Sequence, residues 1–251
     1  MRGLSDKRVL ITGGAGGIGR ATAVRFLEEK SRVVILDRDD SALAGAMDDL
    51  PRLSGSIRAD VSDPDDLAHA FSEVRDLLDG LDILINNAGI STRRRFLDIS
   101  PQQWRQTIET NLNGVFYSAQ QAARLMLEGE GGVILNMAST NALVGYHYYA
   151  DYNTSKAGVL ELTRSMALEL APMVRVNAVC PGFILTPMQE AEYTTEMQQT
   201  YAGKLPLNRL GRPEDVAALF AFLASDDAAF ITGHYFVIDG GEIAGGLASQ
   251  P

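Results

Sequence analysis

The chain has 251 residues, of which 46% are hydrophobic and 22% charged, and its formal net charge is −10. That charge disfavours loose binding to nucleic acid or to an anionic membrane, and the composition is that of a globular chain able to bury a substantial core. Cys180 is the single cysteine, which excludes an intramolecular disulfide. The first residues carry no secretory apolar stretch, and no run approaches the roughly 18 apolar residues of a membrane span, so a cytoplasmic protein is expected.

Apolar runs and amphipathic segments alternate along the chain. "KRVLIT" (7–12) reads as a buried strand, and "IGRATAVRFLEEK" (18–30) as a helix with Ile18, Ala21, Val24, Phe26 and Leu27 towards one face. "RVVILD" (32–37) is a second strand, "SALAGAMDDL" (41–50) a helix and "GSIRADV" (55–61) a third strand. Ser62 is placed as the N-cap of a helix with acidic residues in its first turn. "LDILINNAG" (81–89) is the fourth strand. A long helix then runs over 100–128, opened by Ser100 and Pro101. "GGVILNMAS" (131–139), "VRVNAVCPG" (174–182) and "YFVIDGG" (235–241) complete seven strands, with helices over 152–171 and 212–225 between them. Strands of continuous apolar character alternating with helices predict a doubly wound α/β fold, a seven-stranded parallel sheet covered on both faces. No linker or repeat divides residues 1–251, so one domain is expected. Its irregular stretch, 183–212, is a candidate substrate lid that would include Met188, Tyr193 and Met197.

The turn after the first strand, "TGGAGGIG" (12–19), holds five glycines. Glycines there let backbone N–H groups approach a pyrophosphate at a helix N-terminus. Two registers compete. Gly14, Gly16 and Gly19 fit G-x-G-x-x-G, whereas Gly13, Gly17 and Gly19 fit a looser spacing after Thr12. Asp37 ends the second strand, 18 residues after Gly19, where a carboxylate can accept from both adenosine ribose hydroxyls and repel a 2′-phosphate. NAD is therefore favoured over NADP, although the adjacent Arg38 could receive that phosphate. Read blandly, Asp37 is a solvated strand-end acid.

In "YNTSK", Tyr152 and Lys156 stand four apart and share a helix face. A nearby ammonium favours the phenolate, so the pair can act as a tuned general acid/base at neutral pH. Ser139 lies thirteen residues earlier, just past the fifth strand, at the carboxyl edge that faces the ligand crevice in such sheets. By itself Ser139 also reads as a turn or cap residue, and Asn111 as a residue on a helix surface.

These stretches together, with "NNAG" (86–89), Asn111 in "TNLNG", "CPGFILTP" (180–187) and "ITGHYFVIDGG" (231–241), resemble a short-chain dehydrogenase/reductase from about Lys7 to Gly241. The family's T-G-x-x-x-G-x-G pattern selects Thr12, Gly13, Gly17 and Gly19. The resemblance implies an NAD(P)-dependent oxidoreductase with Asn111, Ser139, Tyr152 and Lys156 as its catalytic set. Tyr152 would exchange the proton, Lys156 would lower the tyrosine pKa and hold the nicotinamide ribose, Ser139 would orient the substrate oxygen, and Asn111 would hold a relay water. It further implies that the cofactor lies against Gly13, Gly17, Ile18 and Gly19, with Asp37 and Arg38 at the ribose and Asp60 and Val61 at adenine. Asn86, Asn87, Ala88 and Gly89 would line the crevice, and Pro181, Gly182, Ile184 and Thr186 would hold the nicotinamide. One departure is Ala138 before Ser139, where many members carry two serines. A homotetramer packing through 101–129 and 150–170 is implied as well.

Around this set, "VGYHYYADY" (144–152) places Tyr146, His147 and Tyr149 as candidate substrate contacts, and polar aromatics suit an oxygen-rich substrate. In "STRRRF" (91–96), Arg93 is a candidate grip for an anionic group, or else part of a solvated loop. No Cys/His spacing suggests a metal. The expected activity is interconversion of a secondary alcohol and a ketone on a polyol, sugar or hydroxy acid. The alternatives are an NADP-dependent 3-ketoacyl carrier-protein reductase and, less compatible with an intact catalytic set, a non-catalytic dinucleotide sensor.

Overall fold

A computed structural model describes residues 1–187, 189 and 193–245. Met188, placed in the candidate lid from sequence, lies outside the described residues. Seven strands form one parallel sheet in the order β3-β2-β1-β4-β5-β6-β7, with β1 at Arg8–Thr12, β2 at Arg32–Asp37, β3 at Gly55–Arg58, β4 at Ile83–Asn86, β5 at Gly132–Met137, β6 at Val174–Pro181 and β7 at Tyr235–Ile238. The predicted seven-stranded parallel sheet is therefore the observed one.

The layers follow from the two-residue side-chain period of a strand. Val9, Ile11, Val33, Ile35, Ile83, Ile85 and Leu135 point to one face, where α1 (Gly17–Glu28), α2 (Asp40–Asp49) and α8 (Pro213–Ala224) bury Phe26, Leu43 and Phe220 against them. Leu10, Val34, Leu36, Leu84, Ile134 and Val176 point to the other face. There α3 (Pro64–Leu78) and α5 (Gly114–Leu127) supply Leu67, Phe71, Val74, Leu78 and Met126. Each such side chain contributes roughly 1.5–3 kcal/mol by leaving water. The remaining helices are α4 (Pro101–Ile108), α6 (Ala150–Leu170) and α7 (Thr195–Ala202). Among the described residues no helix is long and apolar enough to cross a membrane.

Several local expectations need correction. The N-cap of α3 is Asp63, whose carboxylate accepts from the N–H groups of Asp65 and Asp66 at 2.9 and 3.2 Å. Ser62 instead donates its hydroxyl to Asp60 at 2.7 Å. Ala21 and Val24 are only half-buried on α1, and Thr22 and Ala23 turn inward instead. The long helix over 100–128 is interrupted by a π-helical turn at Glu109–Asn113. The third strand ends at Arg58, because β2 offers pairing partners only as far as Asp37.

Candidate active site

The strand order reverses direction between β1 and β4, and a crevice opens at their carboxyl ends, where open α/β sheets bind ligands. Thr12 and Asn87 brace its mouth. The Thr12 hydroxyl oxygen accepts from the N–H groups of Asn87 and Ala88, both at 3.1 Å, and the Asn87 amide donates to the carbonyls of Thr12 and Gly13 at 3.0 and 2.9 Å. Between strand and helix the backbone takes positive φ at Gly13 (62°) and Gly17 (48°), a region that favours glycine. Gly19 is required for a different reason: a Cβ there would overlap the Gly13 carbonyl and stand 2.6 Å from the Asn87 amide nitrogen. Gly16 has open space at its Cβ position and caps α1 without a side chain, leaving first-turn N–H groups at the crevice.

The cavity so formed, about 490 Å³, runs from this loop to the end of β5. Gly13, Gly17, Ile18, Asp37 and Arg38 line one end, and Asp60 and Val61 the wall beside them. The Asp37 carboxylate accepts from the backbone N–H of Arg38 at 2.8 Å and of Ala15 at 3.3 Å, which fixes it at the tip of β2. Burial works against the charge on Asp60, but the N–H and hydroxyl of Ser62, together with the Arg38 and Arg58 guanidinium groups, outweigh it and hold that carboxyl below its usual range. Further in stand Asn87, Ala88, Gly89, Pro181, Gly182, Ile184 and Thr186. Thr186 faces Gly17 across the opening, its Cβ 3.6 Å from where a Gly17 Cβ would be.

At the deep end are Ser139, Tyr152 and Lys156. Lys156 is 2% exposed and donates to the Met137 carbonyl at 2.8 Å, with its nitrogen 5.6 Å from the centre of the Tyr152 ring. Burial lowers the pKa of this ammonium to about 8. The Ser139 hydroxyl donates to the Asn141 side-chain oxygen at 3.1 Å. Asp151, itself buried, accepts from the Tyr152 N–H at 2.9 Å and from the Thr107 hydroxyl at 2.8 Å, anchoring the first turn of α6.

A second cavity of about 550 Å³ adjoins the first and shares Ser139, Tyr152, Gly182 and Gln189 with it. Its walls are polar and aromatic. Tyr146 donates to Glu242 at 2.7 Å, and the hydroxyls of Tyr149 and Tyr193 are 2.8 Å apart. Burial raises the Tyr146 phenol above its ordinary value. Arg93 lies over the Tyr148 ring at 4.9 Å, and His147 stands beside it.

A family model described as enoyl-(acyl carrier protein) reductase matches residues 13–242. The 3-oxoacyl-[acyl-carrier-protein] reductase of Aquifex aeolicus is 37% identical, over 95% of this chain and 98% of its own. The L-rhamnose 1-dehydrogenase (NAD(P)(+)) of Azotobacter vinelandii is 38% identical, over 95% and 97%. The crystal structure of a short-chain type dehydrogenase/reductase from Mycobacterium marinum superposes with a TM-score of 0.91 at 38% identity, covering 96% of this chain and 97% of that one. The chain belongs to the short-chain dehydrogenase/reductase family.

As a short-chain dehydrogenase/reductase it is an oxidoreductase that uses a nicotinamide dinucleotide. Most of the residues singled out from sequence line one of the two cavities. Three do not. Gly19 packs beneath the glycine loop instead of facing the crevice. Asn86 turns into the core, where its amide donates to Asn136 at 3.0 Å. Asn111, which by itself reads as helix surface, is fully buried in the π-helical turn. It accepts from the Ile90 N–H and donates to the Ile90 carbonyl, both at 2.8 Å, and donates to the Ser155 hydroxyl at 3.2 Å. The missing Cβ of Gly89 leaves the space between Asn111 and the Lys156 nitrogen open.

Sequence reasoning missed Gln189, Phe183, Tyr201 and Glu242, and set Gly16 aside with the competing register; all five line a cavity of this short-chain dehydrogenase/reductase. Phe183 stacks on Tyr201 at 5.0 Å and meets Tyr193 at 5.1 Å. Only the aromatic content of 183–201 hinted at this cluster. Nothing local marks Glu242, which reaches the site because β7 returns beside β6.

Proposed function

We propose that this short-chain dehydrogenase/reductase interconverts a secondary alcohol and a ketone on a small polar substrate, with NAD(H) as its preferred cofactor. The observation that carries this reading is the meeting of two cavities at Ser139 and Tyr152. The first cavity suits an extended dinucleotide, since it runs from the glycine loop at the start of α1, where no side chain caps the first-turn N–H groups, past Asp37 to Ser139 and Tyr152. Gly13, Gly17 and Ile18 would hold the pyrophosphate, Asp37 the adenosine ribose, Asp60 and Val61 the adenine, and Pro181, Gly182, Ile184 and Thr186 the nicotinamide end. When bound, the dinucleotide supplies the hydride acceptor or donor.

The chain's own residues handle the proton. Tyr152 takes it from the alcohol hydroxyl during oxidation and returns it to the carbonyl oxygen during reduction. Lys156, an ammonium one turn along α6, favours the phenolate form. Ser139 donates to the substrate oxygen once its bond to Asn141 yields, and Asp151 fixes the backbone from which Tyr152 extends. Asn111 acts through the Ile90 backbone and Ser155 to shape the wall behind Lys156, where a relay water would sit.

Asp37 supports NAD over NADP, because a carboxylate at the tip of β2 repels a 2′-phosphate. The polar second cavity, with Tyr146, His147, Tyr149 and Arg93, supports a polyol, sugar or hydroxy acid. A 3-ketoacyl carrier-protein reductase is the competing reading, favoured by the similarity to the Aquifex aeolicus enzyme. An acyl chain would place apolar surface against these phenols. We read 183–212 as a cover over the substrate, since its ends are pinned together by the Leu185 N–H to Gly211 carbonyl bond at 2.9 Å and the Gly211 N–H to Phe183 carbonyl bond at 3.0 Å. Exposed Trp104, Phe116 and Leu168 on α4, α5 and α6 support a homotetramer.

The test is Tyr152→Phe. It should lower kcat by about 10²–10⁴-fold while NADH binding, followed by fluorescence, stays within about twofold. Full turnover in that variant would remove Tyr152 from the chemistry.

A further inference from the structure

Glu242 takes no part in the chemistry described above, yet it forms part of the wall of the second cavity. It lies four residues beyond the end of β7 and is carried there by the turn that the Asp239 carboxylate caps, accepting from Gly241 and Ile243 N–H at 2.8 and 2.9 Å. One carboxyl oxygen, Oε1, accepts from the Tyr146 hydroxyl at 2.7 Å. The other, Oε2, is buried against Gly182, and the Phe183 backbone N–H also stabilises the carboxylate.

A carboxylate can accept about four hydrogen bonds, and an unmet buried acceptor costs roughly 1–3 kcal/mol. With one bond taken up by Tyr146, Oε1 can accept another, and Glu242 lines the same cavity as Ser139 and Tyr152. Burial, with a smaller contribution from Asp239, raises this carboxyl above its ordinary range, against the opposing pull of the Tyr146 hydroxyl and the Phe183 N–H. A hydroxyl group satisfies it. A carboxylate or phosphate placed there would meet like charge, and an alkyl chain would leave it dry.

We propose that Glu242 is a specificity-determining residue that receives a substrate hydroxyl other than the one oxidised at Tyr152, which makes the substrate polyhydroxylated and uncharged beside Glu242. Tyr146 holds the carboxyl in place for this. The proposal rests on the alcohol–ketone reading above and narrows its substrate class to polyols and sugars.

The experiment measures NAD- and NADP-linked oxidation of glycerol, ribitol, sorbitol and L-rhamnose against 2-butanol, 2-hexanol and cyclohexanol. The proteins are wild type, Glu242→Leu, Glu242→Gln and Tyr146→Phe. Wild type should favour a polyhydroxylated compound over the monohydric alcohols. Glu242→Leu should lower kcat/KM for that compound at least tenfold, mostly through KM, and change the monohydric alcohols less than about twofold. Glu242→Gln, which keeps an acceptor oxygen, should retain most of the activity. Should the leucine variant not fold, Tyr146→Phe gives the same split at about three- to tenfold, since it deletes one hydroxyl only. Equal losses on both substrate classes, or no loss on either, overturn the role of Glu242. Wild-type preference for monohydric alcohols overturns the substrate class and leaves the alcohol–ketone reading standing. Turnover of neither class by a protein that binds NADH removes that reading and this inference together.

Discussion

The ammonium of Lys156 donates to the carbonyl of Met137 at 2.8 Å, and this bond ties the helix that carries Tyr152 to the strand end that precedes Ser139. Ser139 and Tyr152, thirteen positions apart, are thereby held at the junction of two cavities. The charge itself is costly at 2% exposure, and burial is what lowers the lysine pKa to about 8.

A pH signature in stability follows. An unfolded lysine titrates near 10.4. Below about pH 8 the lysine is protonated in both states, and its burial cost is fully present. Between about 8 and about 10.4 the unfolded chain holds the proton that the folded chain has released, so this residue's contribution to stability rises with pH. Lys156→Met lacks that contribution. Its stability relative to wild type, from urea unfolding of the cofactor-free protein, should fall by about 2–3 kcal/mol between about pH 7 and about pH 10. A relative stability that does not change with pH would show that the lysine is not desolvated.

Cofactor choice tests the tip of β2. Asp37→Asn keeps an acceptor for the Arg38 N–H, bonded at 2.8 Å in the native chain, and removes the charge. The NADP-to-NAD ratio of kcat/KM should rise by about tenfold or more, the size of one charged hydrogen bond. A wild type that already prefers NADP, read from the same assay, would reverse the role given to Asp37.

Two glycines of the loop differ in what a side chain would meet. Gly16→Ala meets nothing within 4 Å and should melt close to wild type. Gly19→Ala must push against the Gly13 carbonyl and the Asn87 amide, and should lose about 1–3 kcal/mol or more in thermal or urea unfolding. Equal melting of the two variants would contradict the packing of the loop.

Much of this architecture is legible along the chain, because a buried parallel strand needs a continuous apolar run and a covering helix needs a 3.6-residue period. "RVVILD" at 32–37 coincides with β2, and Ser100 with Pro101 opens α4 through a capping box with Gln103. The "YNTSK" spacing likewise places Tyr152 and Lys156 on one face of α6, as local geometry requires. Local signals fail where a longer-range partner decides. Ser62 and Asp63 are both good caps, and Asp60 claims the serine hydroxyl. No periodicity foretells the π-helical turn that buries Asn111 against Ile90, since that widening depends on how α4 and α5 meet the loop after β4.

The amino-acid sequence alone determined the parallel sheet, the glycine turn that a dinucleotide requires and the family to which the chain belongs, because these rest on residue types at short, fixed spacings. Tertiary structure alone decided which glycine faces the crevice and which packs beneath it. It also brought Tyr146 and Glu242 to a 2.7 Å hydrogen bond across 96 positions. Contacts of that kind arise when strands laid side by side deliver distant loops to one edge of a sheet, and such delivery leaves no pattern in the residues that it joins.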